Sequence, residues 1–222
     1  MLLRLRLIPS LIVFALLLVT LLAQDAVALS PHIRDGWMLG ISYGYGRGKF
    51  SVFQGGEGDV ANRLVTDWER GAVPQMRIGH VLVKNRLMLT FENRQWLQEQ
   101  GIFVEDKIRV NIQTWTLALT YYPANPYSAA GGFYLQAGAG PANARVAVLE
   151  PAEPNPWGEQ FEEIFVKNEG GTGYFAGLGY EFRIVSRVAA GAAVSFVSQS
   201  IGGDIFDDAV SWPATLTLNW YW

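Results

Sequence analysis

From Val210 to the last residue, large apolar side chains fall on even positions (Trp212, Leu216, Leu218, Trp220, Trp222), and Thr215, Thr217, Asn219 and Tyr221 sit between them. Strict alternation means a β-strand with one apolar and one polar face. Seven earlier segments carry the same pattern. Strand 1, from Trp37 to about Tyr45, turns out Trp37, Leu39, Ile41, Tyr43 and Tyr45. Strand 2, about Gln75 to Val83, turns out Met76, Ile78 and Leu82, keeps Arg77 and Gly79 inside, and leaves His80 awkwardly on the outer face. Strand 3, about Leu87 to Gln95, exposes Leu87, Leu89 and Phe91 over Thr90, Glu92 and Arg94. Strand 4, about Val110 to Tyr122, exposes Trp115, Leu117, Leu119 and Tyr121.

The second half repeats the rule. Strand 5, about Phe133 to Ala144, holds Tyr134, Gln136, Gly138 and Gly140 inside. Strand 6, about Thr172 to Ile184, places Tyr174, Leu178, Tyr180 and Phe182 outside over Gly177, Gly179 and Glu181. Strand 7, about Val188 to Ser198, sets Val194 and Phe196 outside against Gly191, Ala193 and Ser195. Counted with the terminal strand there are eight, the smallest number that closes a barrel in a membrane. At about 3.3 Å per residue and a tilt near ~40°, about ten residues rise about 25 Å, the height of a bilayer-spanning apolar band.

Connections alternate in length. Lys84-Asn85, Ser186-Arg187 and Pro123 to Ala130 are short, whereas Arg47 to Pro74, Trp96 to Arg109, Arg145 to Gly171 and Gln199 to Ala209 are long. Short turns at one end and long loops at the other are the asymmetry of outer-membrane barrels. Aromatics sort by height as well: Trp37, Tyr121, Phe133, Tyr180, Phe182, Trp220 and Trp222 lie toward the short turns, and Tyr43, Tyr45, Phe91, Tyr174, Phe196 and Trp212 toward the loops. Two such girdles are what the membrane interfaces select.

Ahead of the strands, Arg4 and Arg6 precede an apolar run from Leu7 to Ala23, followed by the small residues Ala23, Ala26 and Ala28. This reads as a signal peptide over residues 1–28, cleaved after 23 or 28, and leaves 36–222 as one barrel domain. Beyond residue 23 no apolar run is long enough for a membrane-spanning helix. The chain has no Cys, so it offers neither a disulfide framework nor a thiolate site. A net charge of -3 without a basic patch speaks against nucleic acid.

Motifs of catalysis do not fit their context. Gly40-Ile41-Ser42-Tyr43-Gly44 matches G-x-S-x-G, but it lies inside a strand and lacks the strand-turn-helix elbow of a nucleophile. The only histidines, His32 and His80, lie outside the outer loops and supply no metal set. Pro213 removes a ladder donor from the last strand, so a bulge or local gap is expected there.

With eight strands, the inner-face glycines of Gln136-Ala137-Gly138-Ala139-Gly140 and Gly177-Leu178-Gly179-Tyr180-Glu181-Phe182, and the aromatic terminus, the chain resembles the small outer-membrane barrel superfamily of OmpA-type, OmpX-type and OmpW-type proteins. The resemblance implies an all-β, eight-stranded antiparallel up-and-down transmembrane barrel in the cell outer membrane, a monomer among membrane lipid. It also implies that Leu218, Trp220 and Trp222 form the terminal signal read by the barrel-assembly machinery. The expected role is non-enzymatic, structural or surface-interacting, without cofactor. A small channel for apolar or small solutes is the alternative, and a lipid-modifying enzyme ranks below it.

Two expectations concern particular residues. The loops carry Glu99, Glu105, Asp106, Glu150, Glu153, Glu159, Glu162, Glu163, Glu169, Asp204, Asp207 and Asp208, an acidic crown expected either to need bridging divalent cations or to face outward as a cation-attracting field. Inside, a two-residue turn at Lys84-Asn85 sets Arg77 opposite Glu92, which predicts a lumen ion pair between them. With Gln136 and Tyr134 it fills the bore, and Arg94 and Glu181 are the other polar lumen groups.

Overall fold

The computed structural model describes residues 31–52, 68–101, 107–151, 161–203 and 206–222; the segment read from the sequence as a signal peptide, residues 1–28, lies outside them. Among the described residues nine antiparallel strands form one sheet: β1 (Trp37–Val52), β2 (Glu69–Ala72), β3 (Gln75–Val83), β4 (Leu87–Gly101), β5 (Lys107–Tyr121), β6 (Phe133–Pro151), β7 (Phe161–Val185), β8 (Val188–Ile201) and β9 (Phe206–Tyr221). β1 pairs with both β2 and β3, each strand from β3 on pairs with the next, and β9 returns to β1, with Met38 opposite Tyr221 and Ile41 opposite Leu218.

The ninth strand does not add a position to the ring. β2 and β3 both lie along β1 in one register, Tyr45 facing Ala72 and Ser42 facing Gln75. Pro74 has no N–H to give the ladder, so the pairing lapses for two residues and resumes. Val73 still donates to the Gly44 carbonyl at 2.8 Å. The barrel therefore has eight positions, one of them occupied by a strand interrupted at proline.

Strand tilt follows from the ladders. A path from Leu39 through Ile78, Phe91, Leu117, Ala139, Tyr174, Ser198 and Val210 returns to β1 at Lys49, ten residues further on. A stagger of that size around eight strands requires a tilt of roughly 40° and a backbone cylinder about 8 Å in radius. Inward side chains fill such a bore.

All the predicted faces are observed: Trp37 to Tyr45, Trp115 to Tyr121 and Trp212 to Trp222 present their large residues outward. Toward the loop end the strands run on past the expected loops. β1 continues to Val52 and β4 to Gly101, β5 starts at Lys107, and β6 and β7 occupy much of the Arg145 to Gly171 connection. In these extensions the facing parity is unchanged while the polarity reverses. Outward residues become Arg47, Lys49, Asn93, Gln95, Gln113, Arg109, Asn143 and Arg145, and inward ones become Phe50, Trp96, Ile112, Val110, Ala144 and Val146. A strand that leaves the bilayer needs water-facing polar groups and an apolar core, so the reversal marks the upper edge of the lipid band. Tyr45, Phe91, Trp115, Tyr174, Phe196 and Trp212 stand at that edge.

Two local details differ from the expectation or sharpen it. The β3–β4 turn has three residues, Lys84 to Arg86, with Asn85 at φ 62° and a register shift between Val81 and Val83. An Asn in the left-handed region closing a bulged turn costs little, and the bulge restores the register that a two-residue turn would have set. At Pro213 the β8–β9 ladder lapses between Val194–Ala214 and Val197–Ser211 without changing register, which is the local gap expected of a missing donor.

Candidate functional site

The lumen is built in three levels. At the short-turn end, residues 31–36 cross the mouth of the barrel instead of hanging from it. His32 N–H donates to Pro126 O at 2.9 Å, Arg34 N–H to Asn85 Oδ1 at 2.6 Å, and Asn85 N–H to Arg34 O at 3.1 Å. Arg34 turns its side chain up into the bore, where Nε meets Glu181 Oε1 at 2.6 Å, Nη2 donates to Gly131 O at 3.1 Å, and the guanidinium lies 3.5 Å from the centre of the Tyr122 ring. Glu181 also accepts from Asn219 Nδ2 at 3.0 Å and from the Tyr221 hydroxyl at 2.9 Å. Arg183 stacks 3.9 Å over Tyr221 and donates to the Ile33 and Ser186 carbonyls. Carboxylate, guanidinium and phenol thus close the floor with every Glu181 oxygen engaged.

The middle level holds the pair that the sequence singled out. The register is as expected, with Arg77 directly across from Glu92. The ion pair between them is not formed. Glu92 binds Arg94, two residues along the same inward face, at 2.8 Å, and also accepts from Thr90 Oγ1 at 2.9 Å and from Gln136 Nε2. Arg77 instead donates to Asn219 Oδ1 from Nε at 3.2 Å and from Nη2 at 2.8 Å. The reason is Gly40, which lies between Arg77 and Asn219 on the ring. A Cβ there would fall 2.4 Å from Asn219 Oδ1 and 2.8 Å from Arg77 Nε, so the absent side chain is the channel through which the guanidinium reaches β9. Arg94 lies 3.4 Å over the Phe175 ring. Tyr134 packs against Tyr122 at 5.7 Å, and its hydroxyl has no partner among the described residues.

Above this level the bore is apolar. Phe50, Val73, Trp96, Val110, Ile112, Ala144, Val146, Ile201, Phe206 and Ala209 form one buried cluster, with Phe50 and Trp96 edge to face at 5.8 Å. Val110, Ile112 and Ala144 lie at the ends of strands read from the sequence, whereas Phe50, Val73, Trp96, Val146, Ile201, Phe206 and Ala209 fall in the segments read as loops. The signal for the extensions is the continued alternation of Val110, Ile112, Ala144 and Val146 with polar neighbours, the apolar face now pointing in. Arg34, Asn219 and Tyr221 were missed as site residues for another reason. Arg34 precedes the first strand, and only the closed ring brings it to Glu181.

Other expected features have plain locations. Ser42 is buried on the inward face of β1, while His80 stands on the lipid face against Trp37 at 4.8 Å, so the G-x-S-x-G match has no histidine beside it. Of the acidic crown, Glu99 pairs with Arg109 at 2.8 Å and Asp208 is exposed. Glu169 is buried, meeting Lys167 at 3.2 Å and the Phe206 N–H at 2.7 Å. Glu105, Asp106, Glu153, Glu159 and Asp204, with the side chains of Glu150, Glu162, Glu163 and Asp207, lie outside the described residues. Leu218 and Trp220 are exposed on β9 and Trp222 just beyond its end, where Trp222 exchanges two 3.0 Å backbone bonds with Trp37 as the ring closes.

No protein-family model matches the chain, and no curated protein matches it in sequence. Solved structures do. Ail, the attachment invasion locus protein of Yersinia pestis, superposes with a TM-score of 0.51 at 12% identity, over 84% of this chain and 99% of that one. Neisserial surface protein A gives 0.50 at 11% identity, over 85% and 98%. At such identity the likeness is one of fold alone, a closed antiparallel up-and-down β-barrel.

Proposed function

We propose that the protein is an integral outer-membrane barrel with a closed lumen, non-catalytic, whose loop end takes part in structural or surface interactions. The observation that carries this reading is the filling of the bore at all three levels: the Arg34–Glu181 floor, the Glu92–Arg94–Gln136 layer and the Phe50–Trp96–Ile112 cap. A channel spends its interior on water, and this barrel spends it on packed side chains. Support of a coarser kind comes from the two barrels of like fold, which by name are an attachment protein and a surface protein. Among the described residues a single copy closes its own ring through the β1–β9 pairing, in keeping with a monomer in lipid. The outward aromatic end of β9 is the segment we assign to recognition by the assembly machinery.

Two measurements test this reading. Purified protein should migrate differently before and after boiling, as a closed barrel does. In planar bilayers it should be silent; a steady ohmic conductance from wild-type protein would overturn the closed lumen in favour of a small-solute channel.

A further inference from the structure

Buried charge in the lumen does not balance. Among the described residues four arginines are buried there, Arg34, Arg77, Arg94 and Arg183, against Glu92, Glu181 and Glu169. Glu169 is spoken for at the loop-side rim by Lys167 and the Phe206 N–H. Glu181 pairs with Arg34, and Glu92 with Arg94. Arg183 sits at the short-turn end, where the Ile33 and Ser186 carbonyls take its protons. Arg77 is left in mid-barrel as a buried cation whose hydrogen bonds go to a neutral amide oxygen. An uncompensated buried charge is costly, and a fold that keeps one generally supplies a counter-charge.

Space for one lies beside it. Gln75, Arg77, Arg94, Tyr134, Gln136, Ser195, Thr215 and Thr217 are the polar residues around a small cavity, closed elsewhere by Gly177, Leu178, Ala193 and Val194. Its volume of about 10 Å³ gives room for one water or one monatomic anion. Guanidinium, hydroxyl and amide groups line it, and no carboxylate does. Two of the hydroxyls, Tyr134 OH and Thr217 Oγ1, are buried and have no hydrogen-bond partner among the described residues. Donors without acceptors around an unbalanced cation form an anion site.

We infer that this cavity binds a single halide-sized anion, held by the Arg77 guanidinium and the Tyr134 and Thr217 hydroxyls. The ion neutralises Arg77, accepts from both orphaned hydroxyls and completes the plug of the middle level. A water would satisfy the hydroxyls and leave the charge; the anion satisfies both. This site is separate from whatever the loops contact, and it requires only the lumen.

The test is to refold the full chain from urea in sodium bromide, crystallise it and measure anomalous scattering at the bromine edge. A peak among Arg77, Tyr134 and Thr217 is the expected result, and a folded barrel with no peak there overturns the site. In solution, the thermal midpoint should rise by a few degrees in bromide or chloride over gluconate at equal ionic strength. Thr217→Val and Tyr134→Phe, which keep the arginines in place, should reduce that halide shift by at least half. An equal shift in both variants would assign the effect to the surface and overturn the proposal.

Discussion

Arg34 and Glu181, 147 residues apart in the chain, meet at 2.6 Å in the floor of the barrel, both shielded from solvent. The contact ties the segment ahead of the first strand to the inner wall of β7. Removing one partner leaves the other charge buried alone. Arg34→Met or Glu181→Leu should each cost on the order of 3 to 5 kcal/mol in urea unfolding, and the double variant less than the sum. Strict additivity would show that the pair does not act as a unit.

Glu92 offers a sharper contrast, because it has an arginine across the ladder and another along its own strand. A double-mutant cycle of Glu92→Gln with Arg94→Met should give a coupling of roughly 1 to 3 kcal/mol. The cycle of Glu92→Gln with Arg77→Met should give a smaller one. Equal couplings would restore the cross-strand pair that the register alone suggests.

Gly40→Ala places a methyl in the gap through which Arg77 reaches Asn219. Both neighbours are side chains and can shift, so the barrel should still form. The Arg77–Asn219 hydrogen bonds should be lost at a cost of about 1 to 3 kcal/mol, and Asn219→Ala should then add little. A variant as stable as wild type would argue that Gly40 is incidental.

Arg47 and Arg70 face each other on the outer wall of β1 and β2, just above the Tyr45 girdle, and both are exposed. Like charges directly opposed in a sheet repel. Arg70→Glu converts the repulsion into an attraction and should stabilise the barrel by roughly 0.2 to 1 kcal/mol at low salt, fading at 1 M. A loss of stability at low salt would contradict the outward placement of the two residues.

His32 should report on acid. Partial burial, and then the Arg34 charge, hold its imidazole below the ordinary value of 6.5. The unfolded chain therefore binds the proton more readily than the folded one, so the contribution is whole above about pH 6.5 and is lost as pH falls through the lowered folded value. His32→Gln should flatten this part of the stability profile between pH 7 and 5, measured by thermal unfolding in detergent. An unchanged slope would mean that the segment leaves the floor before it titrates.

What the sequence determined by itself is the direction of every side chain in the membrane-spanning strands. The period of a strand is two and the lipid tolerates only one choice of face, so Trp212 to Trp222 and Trp115 to Tyr121 could be oriented without a structure. The turn residues then carried the register as far as Arg77 opposite Glu92. Tertiary structure decided which lumen groups bond. In a tilted ring an inward side chain reaches along its own strand or over a neighbouring glycine as easily as straight across. That is how Glu92 takes Arg94, and how Arg77 passes Gly40 to reach Asn219. The same holds for the cap: Trp96 and Ile112 keep the inward parity of Arg94 and Thr114, and only the strands' extension beyond the lipid band gives their apolar side chains a core to fill. Arg34 lies beyond any periodic signal, and the closed ring alone places it under Glu181.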